Sequence, residues 1–373
     1  MGPQPRLRVA VDATSSLGVQ TGIGRVTSQL LDGLAPRADL DTTAYAITWR
    51  GRQELTGAVP AQVRAATRAF PARLTRSLWP RGRFPSIEHW TGPIDVVHAT
   101  NYVAPPTRAA VLVTVFDLTY AHFPELSAGD ALRYPRLVRV AIDRGATVHT
   151  ASDFVAAEIQ ELYQLPTDRV IRVYPGLGPA STGNAAQGRT MAGSDRYILA
   201  LGTIEPRKNL PRLVRAFDAV AARDHDVKLV VAGPDGWGVE SFNDAVETAH
   251  HRDRIQRQGW VEERGRRDLL AGATLLAYPS VYEGFGLPPL EAMQAGTPVV
   301  AARAGALPEV LGDAALLPDP TSADDIADSL TQVLENDELR QELVRRGEGR
   351  ADSYRWDRAI PEYVAAYHRV AGR

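Results

Sequence analysis

Glu283 and Glu291 stand eight residues apart in the segment YPSVYEGFGLPPLE (278–291), and the residues between them favour a bound anion. The apolar run Ala273–Tyr278 reads as a strand or its end. A turn with Gly284 and Gly286 follows. Pro288 and Pro289 then suit a first helical turn, because proline lacks the N–H that a helix start leaves unpaired. Glycines let backbone N–H groups approach a ligand closely, and a helix start favours negative charge. The pattern predicts Glu283 in the loop at the helix mouth and Glu291 about one turn into the helix. That is a site for a ligand carrying both phosphate and hydroxyl groups.

A second segment points to the same chemistry. Tyr197–Leu201 (YILAL) is a short apolar strand candidate, followed by GTIEPRKNLPRLVRAFDAV. Asn209 or Leu210 opens a helix there, with Leu210, Leu213, Val214, Phe217 and Val220 at helical spacing. Arg207 and Lys208 therefore fall in the loop between a strand and a helix. Ligands of open α/β sheets bind at the carboxyl ends of the strands. Two adjacent cations there suit a diphosphate, arginine as a planar fork and lysine as a point charge.

The elements that must hold these residues alternate. Leu7–Val11, Val96–His98, Val111–Val115 and Val148–Thr150 read as strands, and Gly22–Leu34 as a loop running into a helix. After residues 176–196 (GLGPASTGNAAQGRTMAGSDR), read as a linker with an adjoining loop, the pattern restarts. Tyr197–Leu201, Val227–Ala232, Thr274–Tyr278, Pro298–Ala301 and Ala314–Leu317 are the later strand candidates. Alternation of this kind argues for two doubly wound parallel sheets with a cleft between their strand ends. At 373 residues the chain suits two domains of about 180 residues.

Together, GTIEPRKNL, EGFGLPPLE and the downstream AGTPVVAARAGALPEVLGDAALLPDP resemble family 4 of the retaining glycosyltransferases, which have the GT-B architecture. The Glu283-to-Glu291 spacing is that family's hallmark. TGIGRVTSQLL, DVVHATNY, VTVFDLTYAHFPE and TASDFVAAEI extend the likeness over nearly the whole chain, less specifically. The resemblance implies two Rossmann-like domains, 1–178 for the acceptor and 195–350 for the nucleotide sugar, with 351–373 as a helix crossing back to the first. It implies a hexose transferred from a nucleoside-diphosphate donor to an acceptor hydroxyl with the α configuration retained. Mannose from GDP-mannose is the favoured donor, with UDP- or ADP-glucose as the alternative. Donor contacts would come from Gly22, Gly24, Gly202, Arg207, Lys208, Ser280, Glu283, Gly284, Phe285, Gly286, Leu287 and Glu291. Glu283 would hold sugar hydroxyls, Glu291 the ribose, and Arg207 and Lys208 the departing diphosphate; Asp117 joins Glu283, Arg207 and Lys208 in the catalytic set. No cofactor and no metal are expected. One departure stands out: Phe116 occupies the place, just before Asp117, where the family often has a sugar-binding histidine.

Other signals carry less. Gly22-Ile23-Gly24 is followed by Thr27 where a dinucleotide fingerprint wants a third glycine, and it reads better as a phosphate- or acceptor-facing loop. Asp39-Leu40-Asp41 and Asp224-His225-Asp226 match a short metal-binding pattern but lie in polar stretches without a strand to aim them. The histidines show no metal-binding spacing, and the absence of cysteine excludes disulfides and thiolate chemistry. A net charge of −2 gives no reason to expect nucleic acid. No apolar run reaches the roughly 18 residues of a membrane helix. The chain is expected in the cytoplasm, with peripheral contact at the inner membrane face through the arginine-rich stretch 64–83, whose arginine stems equally suit covering apolar surface. The acceptor, a carbohydrate or glycolipid, is not specified, nor are linkage or oligomeric state. Rivals are a nucleotide-sugar epimerase, a phosphorylase with a pyridoxal phosphate lysine that the sequence does not identify, and a non-catalytic binding protein.

Overall fold

A computed structural model of the chain describes residues 6–18, 22–48, 51, 53–68, 79, 82, 84–124, 132–179 and 183–372. They form two compact units, one of residues 1–178 with 354–373 and one of 179–353. In the first, strands β1 (Leu7–Asp12), β2 (Leu40–Tyr45), β3 (Arg64–Ala66), β4 (Val96–Ala99), β5 (Ala110–Thr114), β6 (Thr147–Thr150) and β7 (Val170–Arg172) make one sheet in the order β3-β2-β1-β4-β5-β6-β7. In the second, β8 (Tyr197–Leu201), β9 (Lys228–Ala232), β10 (Ile255–Gly259), β11 (Leu275–Tyr278) and β12 (Val299–Ala301) run in the order β10-β9-β8-β11-β12. Every pairing is parallel. In the second sheet the central strands are apolar because helices cover both faces; YILAL of β8 and LLAY of β11 are buried at every residue.

Strands that the sequence pattern misses are short, polar or marginal. β3, β7 and β10 lie at sheet edges and are only partly buried, so IQRQG of β10 carries no apolar signature. β2 is inside the sheet, yet LDTTAY buries Thr42 and Thr43 where an apolar residue would have marked it. Conversely, Ala314–Leu317 contributes only a bridge between Leu316 and Val300.

The supposed linker at 176–196 contains a helix. Among the helices numbered here, α1 (Gly22–Leu34), α2 (Tyr134–Asp143) and α3 (Asp153–Tyr163) belong to the first unit, and α4 (Ala185–Ala192) opens the second. The Asn184 side chain caps α4 by accepting from Gln187 N, and Gly193 ends it in the left-handed conformation. Gly188 packs directly on the Asp268 carbonyl of α7 (Glu263–Gly272) and Gly272 on the backbone of α4. The small residues that read as flexibility instead allow two helices to touch. Also numbered are α5 (Leu210–Ala221), α6 (Val239–Thr248), α8 (Leu287–Gln294), α9 (Ala323–Glu335), α10 (Asp337–Asp352) and α11 (Trp356–Val370), beside four α-helices of five residues or fewer among the described residues.

The last of these, α11, packs into the first unit with Ile360, Tyr363, Val364 and Tyr367 buried against Leu7, Val9 and Leu30. A buried polar chain fixes it further. Tyr367 Oη lies 2.8 Å from His98 Nδ1 on β4, and His98 Nε2 lies 2.9 Å from Thr114 Oγ1 on β5. Thr114 Oγ1 is in turn 2.9 Å from His149 Nδ1 on β6, whose Nε2 faces the Val173 carbonyl. A carbonyl only accepts, so His149 donates from Nε2; with both imidazoles neutral, as their burial favours, the remaining bonds point one way: Thr114 to His149, His98 to Thr114, and Tyr367 to His98.

Burial lowers both histidines, His149 to about 4. Their unfolded values lie higher, so the unfolded chain takes up protons first and stability falls as the pH drops from about 6.5 toward 4. A shift of that size at His149 is worth on the order of 3 kcal/mol over the window. Thermal melting between pH 7.5 and 4.5 is expected to show this decline, and His149→Gln to flatten it.

Candidate active site

The two segments singled out by their residues meet at the carboxyl ends of neighbouring strands, β8 and β11. After β8 the chain turns at Gly202 (φ 138°), where a side chain would come within 3.2 Å of the Lys208 stem. A one-turn 3-10 helix, Pro206–Lys208, then presents Arg207 and Lys208 before α5 begins. Asn209 ends that turn in the left-handed conformation, and its amide donates to the carbonyls of Pro279 (3.1 Å) and Pro320 (2.8 Å). After β11, Pro279–Gly286 forms the second loop, and Gly286 (φ 106°) begins α8 with Pro288 and Pro289 behind it. The loops are laced together: Val281 N donates to the Arg207 carbonyl (2.9 Å) and Arg207 Nη1 to the Tyr282 carbonyl (2.8 Å).

Glu283 is the centre of the cluster. Its carboxylate is 2.6 Å from Arg207 Nη1 through Oε2 and 2.7 Å from Lys208 Nζ through Oε1. Arg207 Nη2 also pairs with Glu205 at 2.7 Å. Lys208 Nζ donates to the Tyr278 hydroxyl at 2.6 Å and lies 4.6 Å from the centre of its ring. Side-chain exposure is only 10% for Glu283 and 11% for Lys208. Burial alone would raise the Glu283 carboxyl, but Arg207 and Lys208 outweigh it and bring it down to about 2. Burial draws the Lys208 ammonium below its ordinary value, with Glu283 opposing and Arg207 adding to the shift. The arrangement sets one guanidinium and one ammonium against the carboxylates of Glu283 and Glu205 in a nearly dry wall, where charges act strongly on one another.

Glu291 lies on α8 as the spacing predicts, and pairs with Arg266 of α7 at 2.5 Å. Gly284, Phe285 and Gly286 are buried, and Leu287 half-buried, in the turn between the two glutamates. Ser280 is fully buried and its hydroxyl makes no hydrogen bond among the described residues. Glu205, Tyr278 and Arg266 are the members that sequence reasoning passed over. The first two were visible at the edges of the quoted segments, whereas nothing in the run Arg264–Arg267 distinguishes Arg266 from its neighbours.

The other candidates belong to the first unit. Gly22 and Gly24 are not a loop but the opening of helix α1, with Gly24 buried. Phe116 and Asp117 follow β5, and Asp117 Oδ1 accepts from Thr119 N at 3.0 Å. His122 pairs with Glu158 at 3.0 Å. Of the two aspartate pairs, Asp41 stands on β2, a strand after all, and Asp39 pairs with Arg37; Asp224 pairs with Arg196. Among the described residues no group of three or more His, Cys, Asp or Glu could hold a metal ion, and no helix is long and apolar enough to cross a membrane. Most of the basic stretch 64–83 lies outside the described residues.

With this geometry in view, comparison with known proteins assigns the family. Residues 185–350 match the family described as "Glycosyl transferases group 1" and residues 20–180 match "Glycosyltransferase Family 4". The O-antigen chain mannosyltransferase B of Escherichia coli is 32% identical over 281 residues, covering 73% of this chain and 74% of that one. The chain belongs to the family 4 glycosyltransferases and is a glycosyltransferase enzyme. The MMP alpha-(1->4)-mannosyltransferase of Mycolicibacterium hassiacum is 40% identical over 182 residues, 47% of this chain and 44% of the relative. In fold, the sucrose-phosphate synthase of Thermosynechococcus elongatus matches with a TM-score of 0.76 at 17% identity, covering 98% of this chain and 99% of that one. Anabaena HepE, solved with UDP and glucose, matches at 0.72 and 17%, covering 97% and 99%. The architecture is GT-B.

Gly305 supports the site from beneath: a side chain there would run into the Glu283 backbone, and its φ of 57° disfavours any other residue. Gly305→Ala is expected to displace Glu283, lowering turnover at least tenfold at a cost of about 1–3 kcal/mol in stability. Gly259→Ala, equally strained (φ 68°) but facing open space, should cost stability and leave turnover unchanged. Thermal melting and a nucleotide-release assay check both.

Proposed function

We propose that the chain transfers a hexose, mannose from GDP-mannose, to a hydroxyl of a carbohydrate or glycolipid acceptor, retaining the α configuration. The observation that carries this reading is the buried Glu283 held between Arg207 and Lys208 at the ends of β8 and β11. A carboxylate flanked by two cations offers an acceptor for sugar hydroxyls directly beside donors for a diphosphate. The choice of mannose is supported by the mannosyltransferases among the relatives.

In this reading Arg207 and Lys208 hold the diphosphate, and the backbone N–H groups at the start of α8 add to the anion site. Glu283 orients the sugar and Glu291 the ribose. The bond from the anomeric carbon to the β-phosphate oxygen breaks as charge collects on that oxygen. The acceptor oxygen bonds to the anomeric carbon on the same face, and its proton passes to the leaving phosphate. Two fixed cations take over the charge stabilisation that a divalent metal supplies in other transferases.

Nucleotide release should be fastest with GDP-mannose in a panel with UDP-glucose, UDP-N-acetylglucosamine and ADP-glucose, and should rise when α-mannosides are added. Release from another donor alone would overturn the choice of mannose, and silence with all four the transfer itself. Lys208→Ala should lower turnover about 10²–10³-fold with whichever donor is used. EDTA should leave most activity in place; its complete loss would return the charge stabilisation to a metal.

A further inference from the structure

Tyr278 ends β11 beneath the charge cluster, 2% exposed, and its hydroxyl meets the ammonium of Lys208 at 2.6 Å. The lysine stem crosses over Gly202, where the absence of a side chain leaves it room, and brings Nζ to 4.6 Å from the tyrosine ring centre. An ammonium has three N–H donors in a tetrahedral arrangement about its stem. Here one is given to Tyr278 and another to Glu283 at 2.7 Å. With two directions fixed, the third has no rotational freedom left.

We propose that Tyr278 is a positioning residue for Lys208, setting the direction of its third N–H toward the diphosphate and supporting its charge. This rests on the proposed role of Lys208 at the leaving group. Glu283 alone sets the rotation about Cε–Nζ only as long as its own bond to the ammonium is kept. Glu283 is also assigned to the sugar, so a partner that does not change on donor binding is required. A neutral hydroxyl fulfils that requirement without cancelling the charge that the phosphate needs. The groups around Lys208 that bear on its protonation are Glu283, Arg207, Glu205 and Tyr278, from both loops.

The test is Tyr278→Phe, which keeps the ring and removes the hydroxyl. The polar oxygen stabilises the ammonium over the neutral amine, so its loss favours deprotonation. The expected result is kcat lowered about tenfold, donor KM changed much less, and the alkaline limb of the kcat profile moved to lower pH by about one unit. A residue that served only packing would leave that limb in place. Lys208→Met, measured beside it, separates the two levels of the account. If Lys208→Met retains full turnover, the diphosphate reading itself fails. If Lys208→Met is impaired while Tyr278→Phe matches the unaltered enzyme in rate and pH profile, the positioning role is overturned. Should Tyr278→Phe not fold, as judged by thermal melting, 3-fluorotyrosine placed at 278 preserves shape and weakens the oxygen as an acceptor. It should move the limb in the same direction by less, and an unmoved limb would overturn the proposal.

Discussion

A carboxylate withdrawn from water must either be matched by charge or take up a proton. Glu283 is matched, and much of the second unit serves that match. Arg207 and Lys208 reach it only because β8 and β11 are neighbours and end at the same edge. Asn209 ties their turn to the opposite loop, and Gly305 allows the backbone at Glu283 to lie close to its neighbour. Removing Glu283 would leave Lys208 without a carboxylate partner and Arg207 with Glu205 alone, and removing either cation would leave buried negative charge uncompensated. The two cations are matched by Glu283 and Glu205 where the loops after β8 and β11 meet. In the proposed reading a sugar diphosphate binds there, and the same cations stabilise the charge developing at its leaving group.

The first unit is organised around a different constraint, a buried chain of neutral polar groups. Tyr367, His98, Thr114 and His149 form a sequence of bonds running in one direction, tying the C-terminal helix α11 across β4, β5 and β6. Each bond satisfies a group that would otherwise be orphaned in an apolar core. Tyr367 lies 269 residues from His98 along the chain, so no local pattern announces the pairing.

The sequence made the second unit's site legible because its chemistry is local. Glu283, Gly286 and Glu291 fall within one turn and one helix, and Arg207 and Lys208 follow a strand whose apolar run is unmistakable. What escaped notice depends on contacts between distant segments. Tyr278 and Lys208 are 70 residues apart, and Arg266 and Glu291 come from separate helices. Edge strands such as β10 were missed because half-exposed strands need no apolar pattern. The segment 176–196 misled for a related reason: glycine permits flexibility and close packing alike, and only the partner helix decides which. Gly22 and Gly24 show the same ambiguity, opening α1 instead of forming a loop.

The most direct test of the account is a crystal structure of the enzyme with a nucleoside-diphosphate hexose, or its unreactive analogue, bound. The account predicts the β-phosphate against Lys208 and Arg207, hexose hydroxyls on Glu283 and the ribose at Glu291. A diphosphate bound elsewhere, with the Arg207–Glu283–Lys208 cluster untouched, would contradict it.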